Sequence, residues 1–274
     1  MLIKVDVIIC TWNSNKIWFR KCIEAIKKEI PICHLIIVDR YSNDGTIELI
    51  KEYFSNAIII QNKLNLAKAR QEAIKYVDTN WFIFIDDDVE IEKDWFKNIT
   101  KNITKKTGAL NGLALPTSKW LRDRMLFSIN SSLQKNIQLQ KIVYLTNTLI
   151  RTSIVKDWVP PLFLTSGEDA HLSSYILAKG YKVKILYDLP VNHHGKWDLV
   201  SIKKKSWHYS GARLARYPII KTKSLILNLF KSPFKGIYLS FKLNEPKNFF
   251  YEILSNYYIL KGWLCWSKFQ KFNR

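Results

Sequence analysis

Four cysteines are all that this 274-residue chain contains, and no two of them form a Cys-x-x-Cys pair or stand at metal-ligand spacing. That excludes a disulfide scaffold and a cysteine zinc site. Cys10 and Cys33 lie in or beside apolar, strand-like runs, so buried free thiols in a reducing compartment are expected. No stretch approaches the ~18 uninterrupted apolar residues that a membrane-spanning helix needs. The opening MLIKVDVIICTW is broken by Asp6 and reads as a strand rather than a signal peptide. A chain either soluble or peripheral to a membrane is expected, with no internal repeat and no low-complexity segment.

Acidic residues are also scarce. Against 43 Lys+Arg the chain sets 23 Asp+Glu, a net charge of +20. Such a surplus implies an anionic partner: a nucleic acid, an anionic membrane or a phosphorylated ligand. The shortage is concentrated at one end. Residues 196–274 hold 16 Lys+Arg and only Asp198, Glu245 and Glu252, so +13 of the +20 resides there. Two functional regions follow, one over residues 1–200 and a basic, aromatic one over 201–274.

What the chain does have is apolar material in regular order. Hydrophobic residues make up 47% and charged residues 24%, the proportions of a globular protein with a sizeable core. IKVDVIIC, HLIIVD, AIIIQN and WFIFID read as strands. Between and after them KIWFRKCIEAIKKEI, NDGTIELIKEYF, LAKARQEAIKYV and KDWFKNITKNITKK read as helices. Continuous apolar strands separated by helices predict an α/β fold with a parallel sheet covered on both faces. Ligands bind such sheets at the carboxyl ends of the strands. Those ends are TWNS, DRYSND, NKLN and DDD, all polar. Beyond residue 108, GALNGLALP, KIVYLTNTLI and YKVKILYD read as further strands, and SGEDAHLSSYILAKG as a helix closed by Gly180.

The run WFIFIDDDVE carries an apolar strand straight into three aspartates. Like charges in a row at a core edge repel one another unless a cation sits among them. Strand alternation would set Asp86 and Asp88 on one side and Asp87 on the other. Two converging carboxylates suit Mg²⁺ or Mn²⁺, which also keep waters and substrate phosphates. Capping of the next helix explains one aspartate easily and three poorly. Arg70, inside NKLNLAKARQEA, offers a planar fork for a phosphate or carboxylate, whereas Lys68 reads as a solvated helix face. In SGEDAHL, Glu168 and Asp169 fit two roles equally: first-turn charges behind a Ser166 cap, or a general base beside an acceptor hydroxyl. His193 and His194, just after a strand, are candidates for a third metal ligand.

Taken together, VDVIICTWNS, LIIVDRYSNDGT, NKLNLAKARQEA, FIFIDDD and SGEDAHLSSYILAKGYKV resemble glycosyltransferase family 2 over about residues 3–200. The resemblance implies a GT-A, Rossmann-like, mostly parallel sheet with helices on both faces. It further implies inverting transfer of a sugar from a nucleotide-diphosphate donor, UDP- or GDP-linked, with a divalent metal. It places Thr11, Asn13, Asp39, Arg70, Asp86 and Asp87 at the nucleotide sugar. Asp88, Asp86 and His193 or His194 fall at the metal, with His193 preferred. Asp169 matches the catalytic base, with Glu168 beside it. Arg40 stands where the family often has a second acid, and His171 where an acid often follows Glu168-Asp169. The QxxRW signature of processive synthases is absent, which points to single additions.

Residues 196–274 carry 17 of the chain's 37 aromatics. Phe250, Ile253, Leu254, Tyr257, Leu260 and Leu264 fall on one face of a helix starting near Pro246. Basic amphipathic helices of this kind suit an anionic membrane surface, where each Lys or Arg contributes about 1 kcal/mol. The alternative is packing of these helices on the catalytic domain or on a second copy of the chain. A lipid-linked glycan or polyprenyl-phosphate acceptor at the cytoplasmic face of the cell membrane would account for the tail. The competing classes are a nucleotidyltransferase, which leaves SGEDAHL without a role, and a nucleic-acid-binding protein. The latter is disfavoured because the acidic rim would repel phosphate and no nucleic-acid motif is present.

Overall fold

A computed structural model describes residues 3–134, 142–162, 164–195, 198–214 and 221–270. Lys196, Trp197 and residues 215–220 and 271–274, all counted in the basic tail, lie outside the described residues. Two compact units share the chain. One comprises Met1–Leu115, Lys141–Leu162 and Leu172–His194; the other comprises Pro116–Gln140, Phe163–His171 and Gly195–Arg274. Composition alone placed a boundary near residue 200. The second unit also claims residues 116–140 and 163–171, which carry no compositional mark.

The first unit is built on one sheet of eight strands. Strands β1 Val5–Thr11, β2 Ile32–Asp39, β3 Ile58–Gln61 and β4 Trp81–Ile85 match the four apolar runs. They pair in parallel, β3-β2-β1-β4. The short β5 Val89–Glu90 follows β4, and β6 Thr107–Pro116, β7 Asn147–Arg151 and β8 Lys182–His193 complete the sheet in the order β4-β7-β6-β8-β5. β7 runs antiparallel to β4 and to β6, so the parallel part is the first four strands. β7 is shorter than KIVYLTNTLI suggests, and Lys141 lies outside the described residues. The Val143 and Tyr144 amides go to the Ser173 hydroxyl and the Asn111 side chain instead of to a strand ladder.

Alternation along the parallel strands sorts their side chains into two cores. Val7, Ile9, Ile37, Ile83 and Ile85 face one layer, while Ile8, Ile36, Val38, Phe82 and Phe84 face the other. The first layer is covered by α1 Ile17–Glu29, α2 Thr46–Tyr53 and α4 Trp95–Thr100. On α1 the buried positions Phe19, Cys22, Ile23 and Ile26 recur at helical spacing. The second layer is covered by α3 Leu66–Ile74, α6 Thr152–Val155 and part of α7 Glu168–Ala178. Each such aliphatic side chain, fully buried, contributes about 1.5–3 kcal/mol. The α4 helix stops at Thr100 although the sequence reads as helical to Lys106. There the Thr107 hydroxyl accepts the Thr104 amide at 2.8 Å and closes a turn.

Of the four thiols only Cys22 is buried; Cys33 is exposed, because β2 leaves its first residues outside the core before Leu35. No disulfide joins the four thiols, and the burial expected for Cys10 and Cys33 is corrected, since Cys10 is only half-buried.

The second unit is helical: α5 Lys119–Gln134, the first turn of α7, α8 Leu199–Leu214, α9 Thr222–Lys242, α10 Lys247–Leu264 and α11 Trp266–Gln270. Its helices approach very closely. A Cβ at Gly262 of α10 would lie 2.1 Å from the Ser206 carbonyl oxygen of α8, a backbone atom that cannot yield. Among the described residues no helix is long and apolar enough to cross a membrane.

Candidate functional site

Parallel register lines up the carboxyl ends of three strands, with Thr11 opposite Asp39 and Asp39 opposite Gln61. Asp39 is fully buried there and accepts four hydrogen bonds. Its Oδ1 takes the Thr11 hydroxyl at 3.0 Å and the Ser42 hydroxyl at 2.5 Å. Its Oδ2 takes the Ser42 amide at 2.9 Å and the Gln61 side-chain amide at 3.1 Å. Two carboxylate oxygens offer roughly four acceptor positions, so this carboxylate is saturated from within and ties the strand ends together. Asn13, in the left-handed region at φ 50°, donates its amide to Ser42 Oγ at 2.8 Å and accepts the Asn43 amide at 3.0 Å.

The three aspartates leave β4 as a turn, since the strand ends at Ile85 and the Val89 amide bonds back to the Asp86 carbonyl. Strand alternation therefore does not govern them, and each meets a different element. Asp86 Oδ1 accepts from Arg70 Nη2 of α3 at 2.7 Å, with Arg70 itself buried. Asp87 accepts the hydroxyl of Ser14, at the end of the β1 loop. Asp88 Oδ1 lies 3.3 Å from His193 Nε2. The last contact is a matter of register: β5 runs antiparallel to β8 with Val89 opposite His193.

His194 does not join this group. Neighbouring residues at a strand end point opposite ways, and the His194 ring goes to Glu90 Oε2 at 2.7 Å while its amide bonds the Asp88 carbonyl. The sequence offered both histidines as metal ligands; the fold gives the aspartate turn to His193 alone.

Negative charge accumulates at this turn. Asp87 is pushed up to about 6, by burial first and then by the charge of Asp88, against the Ser14 hydrogen bond. Burial would pull His193 down, but its hydrogen bond to Asp88 and the charges of Asp88, Asp86 and Asp87 outweigh it and hold the ring above its usual range. The Cys22 thiol on α1 is driven far up by burial, with Asp88, Glu90 and Asp87 adding to it. Such a field calls for a cation.

A divalent ion fits part of the expected set. Neighbouring ligand atoms around an ion with bonds of about 2.1 Å lie about 3 Å apart. The carboxylate oxygen of Asp88 and the imidazole nitrogen of His193 meet that spacing. Asp86 is engaged by Arg70. Among the described residues, the one set of three side chains close enough to share an ion is Asp6, Cys33 and His34. It does not fit a metal. Asp6 is fully buried and already accepts the amides of His34, Asp78 and Thr79, the Thr79 hydroxyl and a His34 ring contact. It pins the amino end of β1.

Glu168 and Asp169 open α7 in the second unit. Glu168 is buried and Asp169 half-buried, its Oδ1 accepting the Ala170 amide at 2.7 Å. The approach to the helix is fixed from α8. Ser166 donates its hydroxyl to the Trp207 carbonyl at 2.9 Å, and a Cβ on Gly211 would lie 2.2 Å from the Ser166 carbonyl oxygen. The Ser166 hydroxyl thus ties the segment before α7 to α8.

Several rim residues escaped sequence reasoning: Ser14 and Ser42 inside the polar strand ends and Gln61 at the end of the run AIIIQN, each bonded to an aspartate. Trp12, 61% exposed, carries the Arg40 guanidinium 5.2 Å over its ring, and Lys63 stands 5.8 Å over the exposed ring of Tyr41. These rings present cation-capped aromatic surface on the loops after β1 and β2.

A parallel β3-β2-β1-β4 sheet, flanked by antiparallel strands and ending in an aspartate turn, is the GT-A architecture. The model of glycosyl transferase family 2 matches residues 6–153, and the chain belongs to that family. It is 25% identical over 213 residues to the poly(ribitol-phosphate) beta-N-acetylglucosaminyltransferase TarS of Staphylococcus aureus, covering 68% of this chain and 35% of TarS. The chain thus spans about a third of that relative's length. Among solved structures it is similar to the mannosyltransferase PcManGT from Pyrobaculum calidifontis in complex with GDP-Man and Mn²⁺. There the TM-score is 0.64 at 14% identity, over 97% of this chain and 74% of that one. S. aureus TarS 1-349 in complex with UDP-GlcNAc gives a TM-score of 0.54 at 15% identity, over 97% and 92% of the two chains. At these identities the likeness is one of fold.

Proposed function

We propose that this chain transfers a sugar, with inversion, from a nucleotide-diphosphate donor, and that Asp88 and His193 hold the Mn²⁺ or Mg²⁺ on which donor binding depends. The observation that carries the proposal is the 3.3 Å approach of His193 Nε2 to Asp88 Oδ1 inside a turn of three aspartates, of which Asp86 is paired with Arg70. Fold relatives solved with GDP-Man and Mn²⁺ and with UDP-GlcNAc support it. A divalent ion held there supplies neutralisation of charge on the departing diphosphate.

The chain's own residues have distinct parts in this scheme. Asp86 fixes the Arg70 guanidinium in one orientation, so positive charge stands ready beside the diphosphate. Asn13 and the loop after β2 line the nucleotide side of the rim. Asp39, saturated by Thr11, Ser42 and Gln61, shapes that rim from beneath. Asp169 takes the proton of the acceptor hydroxyl as the new bond forms at the anomeric carbon. We assign the acceptor to the lipid-linked class, a glycan or a polyprenyl phosphate at the cytoplasmic face of the membrane; an ionised phosphate acceptor makes the base less necessary.

Calorimetric titration of UDP and of GDP, each with and without Mn²⁺, tests the donor site. Metal-dependent binding of one nucleotide is expected, and lost in a folded Asp88→Asn variant. Binding of neither nucleotide in either condition overturns the reading.

A further inference from the structure

The helices of the second unit are arranged inside out. On α9 the buried positions are Leu225, Ser232, Gly236 and Leu239. The opposite side carries Leu227, Phe230, Phe234, Ile237 and Phe241, spaced by three and four residues and all exposed. Phe230, Phe234 and Phe241 are 74%, 76% and 84% exposed, far more than isolated surface aromatics require. On α10 the buried positions are Asn248, Glu252, Ser255, Gly262 and Trp263, mostly small or polar, while Phe250, Tyr257 and Leu264 face outward. Polar chemistry fills the interior. Glu252 takes Arg124 of α5 and, at 2.8 Å, Lys235 of α9, and Arg124 Nη1 donates to Asn248 at 3.0 Å.

Water selects the reverse order, apolar inside and polar outside. Small residues at close helix contacts, polar bonds between helices and aromatics on the outer face are the order selected by lipid. Neither helix is apolar enough to span a bilayer, so the arrangement suits helices lying in the interface. We propose that the exposed stripe of α9, joined by the outer face of α10, docks this chain on an anionic phospholipid surface.

Charge selects that occupant. Residues 221–264 hold seven lysines against Glu245 and Glu252, and Glu252 is already paired with Arg124 and Lys235. Lys231 and Lys242, both exposed, follow Phe230 and Phe241 directly and flank the stripe. Their alkyl stems can lie along the apolar surface with the ammonium groups at lipid phosphates. A second copy of the same face would bring those lysines against their own kind.

The test is flotation of the full chain with vesicles of phosphatidylcholine alone and of phosphatidylcholine with about 30% phosphatidylglycerol. The wild type is expected to float with the anionic vesicles. Its partitioning falls by about tenfold or more in a Phe230→Ser/Phe234→Ser/Phe241→Ser variant that keeps its helical circular dichroism. A Lys231→Glu/Lys242→Glu variant is expected to lose the preference for phosphatidylglycerol. Failure of the wild type to float, or flotation of the triple variant at the wild-type level, overturns the proposal. So does a sedimentation equilibrium showing that the stripe holds two copies together without lipid. No donor or acceptor enters this measurement, so its outcome is independent of sugar transfer.

Discussion

The sheet unit and the helical unit use the same twenty residue types in opposite senses. In the sheet unit Ile8, Ile9, Ile37 and Phe84 are inside and the polar groups gather at one rim, as water requires. In the helical unit Glu252, Asn248 and Ser255 are inside and Phe230, Phe234 and Phe241 outside. The contrast teaches that burial and hydrophobicity are separable. A core held by close glycine contacts and by the polar bonds among Arg124, Asn248 and Glu252 leaves its aromatics for something other than folding. It also separates two kinds of electrostatics. The aspartate turn crowds three carboxylates, of which Asp86 is paired with Arg70, whereas Glu252 is balanced by Arg124 and Lys235.

The comparison can be broken by substitution. The largest effect falls on chemistry: Asp169→Asn should keep metal-dependent nucleotide binding yet lower turnover by about 10²–10⁴-fold, read in a transfer assay with the matched donor. Near-normal turnover would remove Asp169 from the role of base. Next, Glu252→Ala strands the buried Arg124 and should cost about 3–5 kcal/mol in urea unfolding. Ile37→Ala in the sheet core should cost about 2–5 kcal/mol by the ordinary cavity mechanism. Equal losses at a buried glutamate and a buried isoleucine would sharpen the contrast; a negligible loss at Glu252 would erase it. The smallest effect is expected at Phe234→Ser, within about 0.5 kcal/mol in buffer, because that ring has little to lose in water. A loss comparable to that at Ile37 would mean that the stripe is part of a core after all. At the rim, His193→Ala should weaken Mn²⁺-dependent nucleotide binding and His194→Ala should leave it intact, a difference that calorimetry resolves.

Much of the sheet unit was legible beforehand. IKVDVIIC, HLIIVD, AIIIQN and WFIFID became β1 to β4, and KIWFRKCIEAIKKEI became α1, because apolar period is a local property that burial then exploits. Residues 142–146 were misread as strand because side chains far away in sequence capture their amides, and the second half of KDWFKNITKNITKK because threonine hydroxyls there compete for the backbone. The outward face of α10 was marked as apolar in the sequence, but nothing local said that the face opposite, with Asn248 and Glu252, would be the buried one.

The sequence by itself determined the strands β1 to β4, that their carboxyl ends are polar, that three aspartates close the fourth, and that positive charge crowds the last residues. These are patterns of period and composition, readable within a few neighbours. Only the tertiary structure decided that Asp86 goes to Arg70, Asp87 to Ser14 and Asp88 to His193, that His194 is held by Glu90, and that Asp39 is saturated. Each of those pairings depends on register between segments distant in the chain, and a shift of one residue would exchange every partner.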